Sequence, residues 1–252
     1  MGVRMKRALF VLCLALAMAA PTQGGAQSNP VTEQYRIYRA ALAANDLEAA
    51  ERAAEAALAA SEARDGDGGS TAVLAMNLAL LRLQKGDRAE ALAPARRARA
   101  LAEAQASANV DVELARLTVL RAEYAINPQE GAEPLLQQLR AYGARPGAAA
   151  EAYPAAVELG LQAFADQQYD LSAQGWTLAE TFGREIGPFA RGRAKIGQGA
   201  AFIMQEIGPR GRRLTRARMN DAYMALREAS EILGPLANEQ SPTGDFTLAQ
   251  RA

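Results

Sequence analysis

The chain of 252 residues contains no histidine, a single cysteine and few aromatic residues. Without histidine it can build neither a Ser-His-Asp nor a Cys-His catalytic group, and no metal site in it can use imidazole ligands. Aromatic side chains make up 6% of the residues, which leaves few of the strand formers that an all-β fold needs. These absences exclude several large enzyme classes and disfavour all-β architectures.

Alanine is abundant instead. Half of the residues are apolar, and alanine recurs in blocks such as residues 49–57. Alanine is the strongest helix former, and its small side chain suits closely packed helices. At this length the chain can bury a substantial core. The composition therefore predicts a globular protein of closely packed helices.

Residues 1–26 have the pattern of a secretory signal peptide. Three basic residues within 1–7 precede an apolar run from Ala8 to Ala20, which is short for a bilayer span. Cleavage after Ala26 would release an exported chain, periplasmic or secreted, that meets the membrane only through the segment removed. Earlier cleavage and an uncleaved anchor are the alternatives. The one cysteine, Cys13, lies in this segment, so the exported chain has no thiol and no disulfide.

Acidic and basic residues balance at 28 each. Three of the basic residues precede the cleavage site, so the exported chain has 25 basic and 28 acidic residues. This near neutrality gives no general attraction to nucleic acid, and we expect no nucleic-acid partner. The charges are unevenly placed, because residues 31–70 hold 8 acids and 4 bases whereas residues 184–218 hold 9 bases and 2 acids. Opposite charges at the two ends would allow two copies to associate.

One pattern recurs about every 41 residues. The segment Ala44–Ala50 is matched by Lys85–Ala91, and the equivalent small residue is Ala132 in the third copy and Ser172 in the fourth. Apolar residues on both sides of each junction keep helical spacing, so each copy is predicted to be a helical hairpin. A fifth hairpin is predicted from residues 189–206 and 219–233.

The junctions also carry signals for helix starts. Asp87 followed by Glu90 forms a capping box, and Pro128 after Asn127 suits the first position of a helix. Pro94 and Pro134 lie about two turns into second helices, where each is expected to kink the helix or delay its start.

These residues resemble the tetratricopeptide repeat, which places a small residue after an apolar one in its first helix and small residues at two fixed places in its second. Leu78-Ala79 and Leu159-Gly160 match the first feature. Three pairs match the second feature: Ala50 with Ala57, Ala91 with Ala98, and Ser172 with Ala179. The long period resembles the kinesin-light-chain-like subclass. The first and third copies depart from the pattern with Tyr38 and Leu120 at the small position of their first helices.

The resemblance implies an all-α fold. We expect an α-solenoid of about five antiparallel helical hairpins, a tetratricopeptide-like superhelix over residues 27–233, followed by a loose tail over 234–252 that includes the start of a further helix. Repeats of this kind stack because a single hairpin cannot bury its apolar face, and the stack curves into a concave groove lined by the first helices.

Candidate partner-binding residues come from the polar faces of the first helices and from an arginine-rich connector. The groove candidates are Asn77, Arg82, Arg116, Glu123, Gln162 and Asp166. The candidates in and before the connector are Arg191, Arg193, Arg210, Arg212, Arg213 and Arg216. Guanidinium groups present planar donors to carboxylates and phosphates, so the connector would suit an acidic partner. The alternative is a solvated loop whose charges aid solubility.

Two other patterns point weakly to chemistry. The loop Glu62–Ser70 alternates carboxylates as calcium loops do, but Met76 occupies the position where a calcium loop needs a bidentate glutamate. Asp166 with Asp170, and Glu228 with Glu231, are carboxylate pairs that fit a solvated helix surface as well as acid and base catalysis.

The sequence thus predicts an exported, non-enzymatic scaffold that holds a protein or peptide partner, with no catalytic residue, metal or cofactor and with self-association open. The first alternative is a sensor or spacer segment of a larger cell-envelope protein, for example ahead of a TonB-type domain. The second is a hydrolase that uses carboxylates.

Overall fold

The chain folds into α-helices throughout the part that is described. The computed structural model describes residues 29–104, 110–207 and 216–239, and no strand occurs in these ranges. The ten helices in these ranges are α1 (Pro30–Ala43), α2 (Leu47–Asp65), α3 (Gly69–Lys85), α4 (Arg88–Ala104), α5 (Val112–Ile126), α6 (Pro128–Gly143), α7 (Ala149–Ala165), α8 (Tyr169–Ile186), α9 (Pro188–Ile207) and α10 (Arg216–Glu239). The predicted all-α class is confirmed.

Local sequence signals fix where several helices begin and end. The Asp46 side chain accepts a hydrogen bond of 2.9 Å from the backbone nitrogen of Ala49 and caps α2. Pro128 is the first residue of α6, as predicted. Gly86 ends α3 with a positive φ of 94°, a conformation that glycine adopts without the penalty a Cβ would bring. Short connections of this kind force consecutive helices to run antiparallel.

The helices divide into two compact units, and the boundary lies between Gln138 and Leu139 inside α6. In the amino-terminal unit, residues 29–138, each helix from α1 to α4 contacts the next helix along the chain. In the carboxy-terminal unit, residues 139–239, each helix from α7 to α9 does the same. Packing in chain order is the arrangement of an α-solenoid, so the solenoid-like prediction holds within each unit.

The predicted element boundaries differ from the observed ones near prolines. Pro94 and Pro134 lie inside α4 and α6, which begin several residues earlier, so neither proline delays a helix start. The helix α10 does not stop at Leu233 but continues through Pro235 to Glu239. Residues 1–28 and 240–252, which hold the predicted signal peptide and most of the tail, lie outside the described residues.

The small residue of the repeat occupies the same place in four second helices. Ala50, Ala91, Gly131 and Ser172 are each the fourth residue of their helix, and all four are buried. The sequence assignment of Ala132 is therefore wrong by one position, since Ala132 is only partly buried. The same shift puts buried Val119, rather than partly buried Leu120, at the equivalent position of α5.

Gly131 shows why this position must be small. A Cβ atom added there would lie 2.5 Å from the Cα atom of Tyr124 and 2.8 Å from its nitrogen. Backbone atoms cannot move aside as a flexible side chain can, so α5 and α6 approach each other closely only because residue 131 has no side chain. Packed interiors tolerate little added volume.

We predict that Gly131→Ala destabilises the protein by about 1–3 kcal/mol, because the added methyl group overpacks the contact with Tyr124. Gln129→Ala, at an exposed position of the same helix turn, is the matched control and should change stability by less than about 0.5 kcal/mol. Urea denaturation of both variants measures the difference. Equal stability of the Gly131 variant and the wild type would contradict the assigned contact.

Candidate binding surface

Helix α9 has one closely packed face formed by residues without bulk. Ala190, Ala194 and Ala201 are buried. A Cβ atom at Gly197 would lie 2.2 Å from the indole of Trp176 in α8, and one at Gly199 would lie 2.7 Å from Leu226 in α10. These contacts place α9 between α8 and α10 and fix its rotation about its own axis.

Fixing this rotation leaves a second, apolar face of α9 at the surface. The exposed fractions are 40% for Phe189, 39% for Ile196 and 43% for Ile207. Arg193 is also exposed, and Ala200 and Ile203 are partly so. We name this set the outer α9 stripe. It consists of Phe189, Arg193, Ile196, Ala200, Ile203 and Ile207.

The first helix of the preceding hairpin, α7, contacts α9 near the beginning of the outer α9 stripe. The Tyr153 hydroxyl of α7 donates a hydrogen bond of 3.0 Å to the backbone oxygen of Ala190 in α9. Burial raises the pKa of Tyr153, and the positive charge of Arg193 acts against that rise, which places Arg193 near the contact between the two helices. Leu161 of α7 is 50% exposed and adds a further apolar side chain.

A buried carboxylate ties α8, α9 and α10 together. The Glu180 side chain, 5% exposed, accepts hydrogen bonds of 2.9 Å from Arg184 and 3.0 Å from Arg191. Lys195 lies 4.0 Å from Glu180 and 2.9 Å from Glu228 of α10. Burial alone raises the pKa of Glu180, but the hydrogen bonds and the charge of Lys195 outweigh it, so the pKa lies below its ordinary value of 4.5.

Some predicted binding residues of the carboxy-terminal unit form hydrogen bonds or ion pairs within the described part of the chain, and one does not. Arg191 is engaged with Glu180, so its main role is to hold α9 in place. Gln162 donates a hydrogen bond of 2.9 Å to Asp166, and the two groove candidates thereby bond to each other. Arg193 is exposed and has no carboxylate partner among the residues that are described. Of these four it is the one free to meet a partner.

In the amino-terminal unit the candidates of α3 are part of the packing. Asn77 is 7% exposed. Arg82 donates a 2.8 Å hydrogen bond to Glu51 of α2 and forms an ion pair with Glu55. Lys85 also pairs with Glu51, and its hydrogen bonds to Glu51 and other carboxylates raise its pKa above the ordinary value. Arg82 and Lys85 therefore join α2 to α3, and Asn77 is buried, so these candidates do not line an open surface.

The candidates of α5 bond to nearby acidic and basic side chains. Arg116 donates a hydrogen bond of 3.2 Å to Glu113 one turn earlier, and it lies 3.9 Å from Glu103 of α4. Glu123 accepts a hydrogen bond of 2.9 Å from Arg96 of α4. Both pairs are largely exposed to solvent, so they add little to stability and leave the surface polar.

The arginine-rich connector, with Arg210, Arg212 and Arg213, lies outside the described residues. Arg216 is the first residue of α10, and its side chain is likewise not described. The prediction that this connector binds an acidic partner therefore stays a prediction.

The paired carboxylates proposed from the sequence are each engaged elsewhere. Asp166 accepts from Gln162, and Asp170 accepts a 2.8 Å hydrogen bond from Gln205. Glu228 pairs with Lys195, and Glu231 accepts a hydrogen bond of 2.8 Å from Arg227. In the loop that resembles a calcium site, Asp67 pairs with Arg97. Across the described ranges, no cluster of three or more acidic or cysteine side chains is placed to hold a metal ion.

A shallow depression of about 520 Å³ lies among α8, α9, α10 and the end of α6. Its lining residues include Arg140, Asp170, Gln174, Gln205 and Asp221. Arg140 donates a hydrogen bond of 3.0 Å to Gln174, so part of this polar lining is satisfied internally.

The outer α9 stripe was not found from the sequence, although a signal for it exists. Its members follow one another at alternating intervals of four and three residues from Phe189 to Ile207. That spacing places apolar side chains along one line of a helix, as in a coiled-coil seam. A stripe of α9 that faces the core would have the same spacing in the sequence. Only the packing of α8 and α10 against α9 determines which of its stripes is buried.

Comparisons with known proteins give no family: no family model matches the chain, and no curated protein matches it either. Within the described part of the chain, no helix combines the length and the apolar character that a bilayer crossing would need.

We predict that Glu180→Gln lowers the free energy of unfolding by about 1–3 kcal/mol at about pH 7, because a buried carboxylate loses its charge while its cationic partners remain. Since the pKa of Glu180 is lower in the folded than in the unfolded chain, the stabilisation is present above the unfolded value of 4.5 and is lost as the pH falls through the folded value. The variant and the wild type should therefore converge in acid.

Chemical denaturation of both proteins at about pH 7 and about pH 3 tests this convergence. The control is Glu231→Gln, which removes a pair whose glutamate is 59% exposed and should cost less than about 1 kcal/mol at either pH. A difference between Glu180→Gln and wild type that stays the same at both pH values would show that the charge of Glu180 does not stabilise the fold.

Proposed function

We propose that this chain is an exported, non-enzymatic scaffold built from tetratricopeptide-like repeats, and that it holds a protein or peptide partner on the first-helix surface of its carboxy-terminal unit. The observation that carries the proposal is the outer α9 stripe. Apolar side chains scattered singly over a surface need no explanation, but several of them at helical spacing along one exposed face are typical of an interaction site.

The small residues support the repeat assignment. Ala50, Ala91, Gly131 and Ser172 recur at the fourth position of successive second helices, and α10 adds the buried pair Ala222 and Ala229 at the seven-residue spacing of the other copies. In tetratricopeptide-like stacks the first helices line the surface that receives a partner. The location of Leu161 on α7 and of the outer α9 stripe on α9 agrees with that use.

Export is the second part of the proposal and rests on residues 1–26. A basic segment, an apolar run and a small-residue cleavage site at Ala26 support secretion to the periplasm or beyond. Detection of the chain in the envelope or medium with a new amino terminus near Gln27 would support it, and a cytoplasmic protein that retains Met1 would contradict it.

We predict that Ile196→Glu abolishes partner capture, because a charge at the centre of the stripe would have to be desolvated on binding. The matched control is Ile126→Glu in the amino-terminal unit, where the isoleucine is 50% exposed and is not part of the outer α9 stripe. Tagged wild-type and variant proteins would be incubated with envelope extract, and the captured proteins would be compared by mass spectrometry.

Both substitutions alter exposed side chains, so both variants should keep the wild-type melting temperature. The proposal expects at least one protein to be captured by the wild type and by Ile126→Glu but not by Ile196→Glu. Identical capture by all three proteins would contradict a scaffold role for this surface.

A further inference from the structure

The outer α9 stripe has the geometry of one side of a helix pair. Its six residues fall within about 80° of one another around α9, and from Phe189 to Ile207 they extend for roughly 27 Å at 1.5 Å per residue. The five intervals of 4, 3, 4, 3 and 4 residues average 3.6, which is close to the repeat of 3.5 at which two helices keep a shared seam. A straight seam of this length accommodates about five turns of a second helix.

An extended peptide would match this surface less well. Successive side chains on one side of a strand are nearly 7 Å apart, whereas the steps along the stripe alternate between about 4.5 and 6 Å. The main-chain hydrogen bonds of a bound strand would also need partners, and α9 satisfies its own backbone groups as a helix. An amphipathic helix brings its own backbone bonds and needs only an apolar line, which α9 supplies.

The positive charge of Arg193 favours an amphipathic helix that carries acidic residues. Arg193 lies within the stripe, is exposed and has no carboxylate partner among the described residues. The neighbouring cations of α9 are already committed, since Arg191 bonds to Glu180 and Lys195 bonds to Glu228. A helix that packs along the stripe would therefore bury Arg193 beside it, and a carboxylate on that helix would offset the desolvation of the guanidinium group.

We propose that the outer α9 stripe binds an acidic amphipathic helix of a partner protein, whose apolar side packs on Phe189, Ile196 and Ile203 and whose carboxylate pairs with Arg193. This inference rests on the proposed scaffold function and specifies its partner. It names a helical ligand and a charge, neither of which the scaffold function requires.

The test uses three synthetic 21-residue peptides and the full chain. The first has leucine at the two apolar heptad positions and glutamate at the flanking positions, so that repulsion between its own copies keeps it monomeric. The second replaces the glutamates by lysine, and the third is a scrambled form of the first with the same composition. Fluorescence anisotropy of labelled peptides measures the dissociation constants.

We expect the acidic amphipathic peptide to bind at least about tenfold more tightly than its scrambled form. Ile196→Glu should weaken that binding at least about tenfold, and Ile126→Glu should leave it unchanged. Arg193→Glu should weaken the binding of the acidic peptide by about tenfold and strengthen the binding of the lysine peptide, because reversing the charge at position 193 reverses the preference for the charge of the peptide. This reversal cannot come from misfolding, since a misfolded variant would lose both peptides.

Equal binding of the acidic and scrambled peptides would overturn the proposal, as would an unchanged preference in Arg193→Glu. Analytical ultracentrifugation of the chain alone is a second test. If the wild type is a dimer and Ile196→Glu is a monomer, the stripe binds a second copy of the chain, and the proposal of an acidic partner helix is overturned. If neither amphipathic peptide binds but Ile196→Glu still loses its partner from envelope extract, the scaffold function stands and the acidic helix is wrong.

Discussion

The close approach of neighbouring helices determines how each helix is oriented and which of its faces is exposed. At Gly131 and Gly175 an added Cβ atom would lie within 3.0 Å of the backbone of a neighbouring helix, and at Gly197 it would lie within 3.0 Å of the indole of Trp176. Helices that come this close leave no room to rotate about their axes, because bulky side chains on either side then interlock. In α9, Gly197 leaves room for Trp176 and Gly199 leaves room for Leu226. These two contacts determine which face of the helix is exposed to solvent. The exposure of the outer α9 stripe is thus a consequence of the packing on the other faces.

Charged side chains complete the attachment between helices in a way that apolar packing alone does not. In the amino-terminal unit Glu51 of α2 receives Arg82 and Lys85 of α3. In the carboxy-terminal unit Glu180 of α8 receives Arg191 and Lys195 of α9. Each cluster places an acid of a second helix against two bases of the following first helix. Removing one member of such a cluster leaves the remaining charges uncompensated, so each cluster requires its helices to stay in register.

Much of the fold could be predicted from the sequence because its signals are local. Capping residues such as Asp46 and prolines such as Pro128 mark where helices begin. The repeat period follows from small residues at fixed intervals. The register of the third copy could not be fixed this way, since Gly131 and Ala132 are adjacent and both small. Only the contact with Tyr124 distinguishes them.

Which polar side chains are available to a partner is harder to predict from the sequence than the fold, for a physical reason. Whether an arginine is available depends on which carboxylate lies across from it, and the partner of Arg82 is 31 residues away in sequence. Polarity therefore pointed to side chains such as Arg82 and Arg191, which hold helices together. The apolar stripe was overlooked because exposed and buried lines of a helix have the same spacing. Arg193 was predicted from its basic side chain and also lies in the exposed outer α9 stripe.

The most direct test of this account is photocrosslinking in living cells with a photoreactive amino acid placed at position 203 or, for comparison, at position 126. The packing of α9 predicts that the group at position 203 forms one discrete covalent adduct with a partner protein, and that the group at position 126 forms none. Absence of an adduct at position 203, or the same adduct from both positions, would contradict the claim that the outward face of α9 is where this protein meets its partner.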